Sequence, residues 1–123
     1  MKNIVKSMEQ SNVRRLIYLS FIGVSESRKD AGFMIKYIAS RLLRNEIADH
    51  EEKEKLITSS ALDWTIVRPP KLTNAQGTGL YRSGEEVKAD AFFPIMSRSD
   101  VADFMLRQLT NNAFVRKSPR IIY

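Results

Sequence analysis

Apolar and polar positions follow one another in blocks that predict an α/β order of elements. Helical spacing of apolar residues in 1–12 predicts a short first helix that ends in a polar turn. The apolar run 16–19 predicts a buried central strand. Residues 33–43 predict a strongly apolar helix, and residues 46–60 predict a second, highly charged one.

The stretch 62–72 is apolar and β-branched until it stops at Arg68 and two prolines. This pattern predicts a second buried strand. A strand, a helix and a strand in this order require a right-handed crossover and a parallel pair. Ligands of open α/β sheets bind at the carboxyl ends of strands, so the strand ends at Ser20 and Arg68 predict a shared crevice.

The last third of the chain has weaker periodicity. Turn residues fill 73–94, with short strands predicted at 80–82 and 86–88. Residues 97–100, Ser-Arg-Ser-Asp, predict a capping box at the start of a helix. The apolar face of that helix is predicted to hold Val101, Phe104, Met105 and Leu109. Residues 121–123 predict a terminal strand.

Composition narrows the class of protein. The 123 residues, 43% hydrophobic and 28% charged, are typical of one globular domain. No apolar run reaches the length of a membrane span, so we expect a soluble, cytoplasmic protein. Without cysteine, and with His50 as the single histidine, disulfides and thiolate or histidine-cluster metal sites are excluded.

Charge and glycine usage constrain the partners. The net charge of +6 favours an anionic partner, but the basic residues are scattered, so the sequence disfavours nucleic acid. The five glycines form neither a Gly-x-Gly-x-x-Gly loop nor a Walker-type loop. The usual phosphate-binding turn of α/β nucleotide sites is therefore missing from these residues.

Four blocks resemble the atypical short-chain dehydrogenase/reductases of the NAD(P)H-binding, NmrA-like family. They are residues 13–20 with 23–24, residues 48–50 with 54, residues 62–69 and residues 97–102. Within that family, the likeness is greatest to the flavin reductases that also reduce biliverdin-IXβ, through Pro69-Pro70 and residues 78–81 and 104–107. The blocks occur in family order and span nearly the whole chain.

The resemblance implies the C-terminal half of a Rossmann-like doubly wound parallel sheet, lacking the N-terminal glycine-rich βαβ unit. Residues 1–123 would form a single partial NAD(P)-binding domain. Two or three βαβ steps, roughly 60 to 90 residues, would be absent. We therefore expect a truncated, split or wrongly started product, with NADP or NAD as cofactor and doubtful binding by this chain alone.

The same resemblance assigns candidate site residues. Ser20 would lie beside the nicotinamide and the substrate, as a catalytic and cofactor-binding residue; the alternative is a turn serine that bonds its own backbone. Arg68, Pro69, Pro70 and Lys71 would run under the nicotinamide ring and bind the cofactor. The prolines would leave carbonyls and the Lys71 amide free for the carboxamide, or would simply end a strand.

The Tyr-x-x-x-Lys pair of classical members is replaced, because Glu46 and His50 occupy its two positions. His50 lies in a charged helical run, which favours a solvated position and a structural role. Tyr37 with Arg41 repeats the spacing too early in the chain, which also favours a structural role.

Two functions remain open on these grounds. The first is a reductase that transfers hydride from NADPH or NADH to a flavin, quinone or similar conjugated acceptor, with little turnover by this chain alone. The alternative is a non-catalytic NmrA-like module for dinucleotide sensing or protein interaction. Either one would leave a sheet edge to be covered by a homodimer or by a complementary N-terminal half.

Overall fold

The computed structural model describes residues 1–22 and 44–123. Its helices are α1 (Lys2–Gln10), α2 (Arg44–Thr58) and α3 (Arg98–Arg107). Its strands are β1 (Arg15–Leu19), β2 (Asp63–Val67), β3 (Lys71–Thr73), β4 (Arg82–Gly84), β5 (Ile95–Ser97) and β6 (Arg120–Ile122). The apolar helix predicted over 33–43, and Tyr37 and Arg41 with it, lie outside the described residues.

The two longest strands form the parallel pair that the sequence predicts. β1 and β2 run in register from Arg15 opposite Asp63 to Leu19 opposite Val67. On its other side β2 is joined to the segment before β6, because Ile66 N donates to Lys117 O at 3.1 Å. This central position explains why β2 is buried, whereas β1, which pairs with β2 alone among the described strands, is only half-buried.

Helices cover both faces of this sheet. On one face Leu16 and Tyr18 of β1 and Trp64 and Ile66 of β2 pack with Ile57 of α2. On the other face, Ile17 and Val67 pack against a cluster contributed by β5, α3 and β6: Met96, Val101, Phe104 and Ile121. Side chains of a strand alternate between faces, so the same five-residue strands serve both layers. The result is a doubly wound α/β arrangement.

Two small sheets extend the fold. β3 pairs in parallel with β5, and β4 pairs antiparallel with β6. The predicted strands at 80–82 and 86–88 are wrong, since the strand in this region is Arg82–Gly84. A strand of three residues is too short to show the alternating pattern from which strands are predicted. Its position depends on pairing with residues that are distant in the sequence.

The Ser97 half of the predicted capping box of α3 is confirmed, whereas the Ser97 N–H is bonded by Tyr123 and not by Asp100. Ser97 Oγ accepts a hydrogen bond from Asp100 N at 3.0 Å, as an N-cap serine does. The Tyr123 hydroxyl accepts from Ser97 N at 3.2 Å and donates to Asp100 Oδ2 at 2.6 Å. The helix ends at Arg107, so the placement of Leu109 on its apolar face was wrong; Leu109 is 57% exposed.

The Asp100 carboxylate also holds the preceding loop. Its two oxygens accept from Thr78 N and Gly79 N, each at 2.9 Å. The Tyr123 hydroxyl and these backbone donors hold the pKa of Asp100 well below its usual range. The loop at Thr78 and Gly79 is thereby bonded to a carboxylate in the first turn of α3.

Candidate functional site

The carboxyl ends of β1 and β2 lie side by side, as their parallel pairing requires. Ser20 N donates to Val67 O at 2.8 Å, and Ile22 N donates to Pro69 O at 2.9 Å. The ladder therefore continues past both strands to the serine and the first proline. The predicted adjacency of the two tips is confirmed.

The Ser20 side chain is a buried polar group at the tip of β1. The residue is 5% exposed, and its Oγ has no hydrogen bond within residues 1–22 and 44–123. A turn serine that bonds its own backbone would not leave this oxygen unsatisfied. Leaving a buried hydroxyl unpaired costs about 1–3 kcal/mol, so the position favours a ligand that restores the bond.

The Arg68 side chain is already committed within the protein. Its Nη2 and Nε donate to the two carboxylate oxygens of Glu54 on α2, at 2.6 and 3.3 Å. Both side chains are 4% exposed. The backbone of Arg68 is held as well, because its N donates to Pro119 O at 2.9 Å. A contribution of Arg68 to a ligand site therefore comes through the position of the chain.

The next three candidate residues differ in their surroundings. Pro69 and Pro70 are buried, whereas Lys71 is exposed and begins β3, opposite Ile95. The expectation that the proline carbonyls are free needs correction at Pro69, whose oxygen accepts the Ile22 N–H. The Lys71 ammonium makes no ion pair within the described ranges.

His50 lies at the sheet, and not on the solvent face where its charged sequence context placed it. Its Nδ1 is 2.7 Å from the Tyr18 hydroxyl, and the Phe21 ring meets the imidazole edge-on at a centroid distance of 5.1 Å. Burial lowers the pKa of His50 and raises the pKa of Tyr18 to about 12. Both shifts favour the neutral forms.

The sequence did not predict the roles of Tyr18 and Glu54 as contact residues at the site. Residues 47, 50, 54 and 57 recur at helical spacing along α2, and each is buried or half-buried. Two of the four are titratable, and each meets a polar partner on the sheet side: His50 meets Tyr18, and Glu54 meets Arg68. Ionisable residues on the apolar stripe of a helix are the signal that identifies this arrangement.

Within the described residues, no three His, Asp or Glu side chains are grouped so as to bind a metal ion. No helix within 1–22 and 44–123 is long and apolar enough to cross a membrane. The buried Ser20 Oγ has no hydrogen bond among these residues, and its hydroxyl could bond the polar end of a nicotinamide, which offers both a donor and an acceptor.

A parallel pair covered by helices on both faces, with polar groups at its carboxyl tips, defines a Rossmann-like nucleotide-binding fold. The sequence profile described as NAD(P)H-binding matches residues 1–112. The chain therefore belongs to the NAD(P)H-binding family.

Individual proteins also resemble the chain in sequence or in structure. The yeast UPF0659 protein YMR090W of Saccharomyces cerevisiae is 29% identical over 122 residues, which are 97% of this chain and 50% of that protein. ChuY of Escherichia coli CFT073 superposes with a TM-score of 0.85 at 18% identity, covering 98% of this chain and 62% of ChuY. ChuY of E. coli O157:H7, described as an anaerobillin reductase, gives 0.81 at 19% identity, covering 98% and 55%.

A short-chain dehydrogenase/reductase of Veillonella parvula, solved in complex with NADP, has a TM-score of 0.76 at 23% identity. The match covers 99% of this chain and 56% of that structure. The chain thus spans about half the length of the curated relative that it matches.

Proposed function

We propose that these residues form the nicotinamide and acceptor side of an NAD(P)H-dependent reductase. The observation that carries this proposal is the buried Ser20 Oγ, unpartnered within the described residues, at the joined tips of β1 and β2. Membership of the NAD(P)H-binding family supplies the class of cofactor. The crevice at such tips is where open α/β sheets bind their ligands.

Each candidate residue has a role in this proposal. The Ser20 hydroxyl bonds the nicotinamide or the acceptor, and Pro69 and Pro70 form a rigid floor beneath them. Arg68, held by Glu54, keeps that floor in register with α2. Lys71 is exposed beyond the floor, where its cation attracts an anionic group of the ligand. A bound nicotinamide would supply hydride, and these residues position it.

The proposed acceptor is a flavin, quinone or similar conjugated molecule. Two observations support it: the family resemblance of the sequence, and the structural likeness to a protein described as an anaerobillin reductase. The glycine-rich phosphate turn is not among these 123 residues, so we expect weak turnover from the chain by itself.

A dinucleotide-sensing or protein-interaction module is the second candidate function. It is compatible with the replacement of the Tyr-x-x-x-Lys pair by Glu46 and His50, as the reductase is, so this replacement does not separate the two functions. The two functions differ in one measurement, because a sensor binds NADPH and does not oxidise it in the presence of FMN.

The proposal extends to the organisation of the protein. Residues 1–123 act as a single partial domain in the cytoplasm, and the outer edge of β1 pairs with a second copy or with a complementary N-terminal half. In support of this, β1 has β2 as its only strand partner among the described residues, and Leu19 is 36% exposed. Strand edges of this kind are commonly covered in proteins.

NADPH fluorescence during titration tests the cofactor site. We expect saturable binding to the wild type, and roughly fivefold weaker binding to Ser20→Ala, which corresponds to one hydrogen bond of about 1 kcal/mol. Ser7→Ala, on the exposed side of α1, is the matched control and should bind as the wild type does.

Absence of saturable binding would overturn the proposal for this chain. Equal binding by wild type and Ser20→Ala would remove Ser20 from the site while leaving the family assignment intact. Oxidation of NADPH on addition of FMN, measured on the same samples, separates the reductase from the sensor.

A further inference from the structure

Three rings meet at the end of β1, beside the candidate site. The Tyr18 hydroxyl lies 2.7 Å from His50 Nδ1, and the Phe21 ring packs edge-on against the same imidazole. Tyr18 and Phe21 flank Ser20 in the chain, two positions before it and one after it. His50 therefore reaches from α2 to the strand end that carries Ser20.

The direction of the Tyr18–His50 hydrogen bond decides which imidazole nitrogen carries the proton, because either group can donate. A tyrosine hydroxyl that donates to Nδ1 requires the neutral tautomer with its proton on Nε2. Charge on either ring is opposed, since burial raises the pKa of Tyr18 to about 12 and lowers the pKa of His50. Lys53 opposes protonation of the imidazole further, while Asp49 and Glu54 act in the other direction.

The second ring nitrogen of His50, Nε2, is the remaining polar atom of the side chain. Nε2 makes no hydrogen bond within residues 1–22 and 44–123, and the ring is half-buried. With the Tyr18 hydroxyl as donor to Nδ1, the His50 side chain offers one N–H donor, Nε2–H, beside the Tyr18 and Phe21 rings.

We propose that the Tyr18–His50 pair binds the acceptor, with His50 Nε2–H donating to a carbonyl oxygen of a flat conjugated ring system that packs on Phe21 and Tyr18. This inference rests on the proposed function and names a subsite within it. Aromatic rings that flank a single neutral donor match a planar carbonyl compound in both shape and hydrogen bonding.

The chemistry of the pair argues against two other roles. A neutral imidazole lacks the charge that makes phosphate binding strong. Proton donation from Nε2 would transfer the Tyr18 proton to Nδ1 and leave a tyrosinate, which a tyrosine pKa of about 12 opposes near neutral pH. The pair therefore positions the acceptor and supplies no proton.

Nuclear magnetic resonance of ¹⁵N-histidine-labelled protein tests the inference directly, because the chain has one histidine. At pH 7.5 we expect a single neutral imidazole protonated on Nε2. Its Nε2 signal should shift saturably with riboflavin and remain unmoved by inorganic phosphate at the same concentration.

Variants separate the hydrogen bond from the packing. Tyr18→Phe should yield a mixture of tautomers and weaken riboflavin binding roughly fivefold, the equivalent of one hydrogen bond. His50→Gln keeps an N–H donor near the position of Nε2 and should bind within about twofold of wild type, whereas His50→Leu should lose roughly fivefold. Glu52→Gln, on the exposed side of α2, is the control and should leave binding unchanged.

A charged imidazole at pH 7.5, a proton on Nδ1, or a signal that responds to phosphate and not to riboflavin would overturn the inference. NADPH fluorescence is measured in parallel. If NADPH binds saturably but the His50 Nε2 signal does not shift with riboflavin, the acceptor subsite alone is rejected. If NADPH does not bind but the His50 Nε2 signal shifts with riboflavin, the proposed cofactor site is rejected and the acceptor subsite is retained.

Discussion

Arg68 and Glu54 form a buried, two-point ion pair between the tip of β2 and the middle of α2, with nitrogen–oxygen distances of 2.6 and 3.3 Å. Both side chains are 4% exposed. The pair joins the helix that carries His50 to the strand end that carries Pro69 and Pro70. The geometry of the candidate site therefore depends on an interaction that no ligand needs to touch.

Removing one member of this pair should cost far more than removing both. Glu54→Gln removes the carboxylate charge that faces the buried Arg68 guanidinium, so we expect the free energy of unfolding to fall by about 3–5 kcal/mol. The double variant Glu54→Leu with Arg68→Met removes both charges and should lie within about 1–2 kcal/mol of wild type. Urea denaturation of the three proteins provides the comparison; a single variant as stable as wild type would contradict it.

His50 should make stability depend on pH below neutrality. Burial lowers its pKa in the folded protein below the ordinary value of 6.5, so the folded state binds fewer protons than the unfolded state there. This contribution to the free energy of unfolding is complete above pH 6.5 and is lost as the pH falls towards the folded pKa. His50→Gln should remove it.

The effect is measured from the urea midpoints of wild type and His50→Gln at pH 5.5 and 7.5. The carboxylates titrate in both proteins, so their contribution cancels when the two are compared. The difference between the two proteins should change between these pH values. A constant difference would show that the imidazole titrates alike in the folded and unfolded states.

Gly77 and Gly79 should respond differently to substitution. A Cβ at Gly77 would lie 2.7 Å from Asp100 Oδ1. That oxygen already accepts a hydrogen bond from Gly79 N. Gly77→Ala should therefore cost about 1–3 kcal/mol through overpacking. Nothing lies within 4 Å of a Cβ at Gly79, but its φ of +69° is strained for most residues.

Asparagine distinguishes the two causes, because it tolerates positive φ and is larger than alanine. Gly79→Asn should be more stable than Gly79→Ala in thermal unfolding, whereas Gly77→Asn should be no better than Gly77→Ala. The reverse order at either position would refute the assignment of strain and overpacking.

The outer edge of β1 should determine the assembly state. The Ser20 N–H points to β2, so the N–H of Leu19, one residue earlier, points to the opposite side. Leu19→Pro removes that outer donor and costs no bond to β2. If a second copy pairs there, light scattering should give twice 14.1 kDa for the wild type and 14.1 kDa for the variant.

Leu19→Thr, which retains the N–H, serves as the control and should keep the dimer. A monomeric wild type, or a dimer that survives Leu19→Pro, would rule out this pairing.

The longer elements were predictable because their burial leaves a repeating pattern. The sequence correctly predicted α1, α2, both long strands and the capped start of α3. β3 and β5 were missed and two strands were misplaced, since three residues leave no pattern and their partners lie far along the chain. Leu109 was assigned to a helical face on spacing alone, although α3 ends at Arg107.

The candidate site was predictable only where strand order determines it. Parallel pairing places Ser20 beside the Pro69 end of β2, and this follows from the order of elements. The contact between Tyr18 and His50 depends on which side of α2 faces the sheet, and the many charges around His50 hid that side. The ion pair between Arg68 and Glu54 could not be predicted for the same reason, because it also depends on which side of α2 faces the sheet.

The parallel pairing of β1 with β2 also bears on how the chain folds. Arg15 and the residue opposite it are 48 positions apart, so the central ladder cannot form until a long crossover has closed. Contacts of such separation slow folding and leave apolar strands unprotected meanwhile. Yield from refolding should therefore rise on dilution and fall at high protein concentration, independently of how stable the finished protein is.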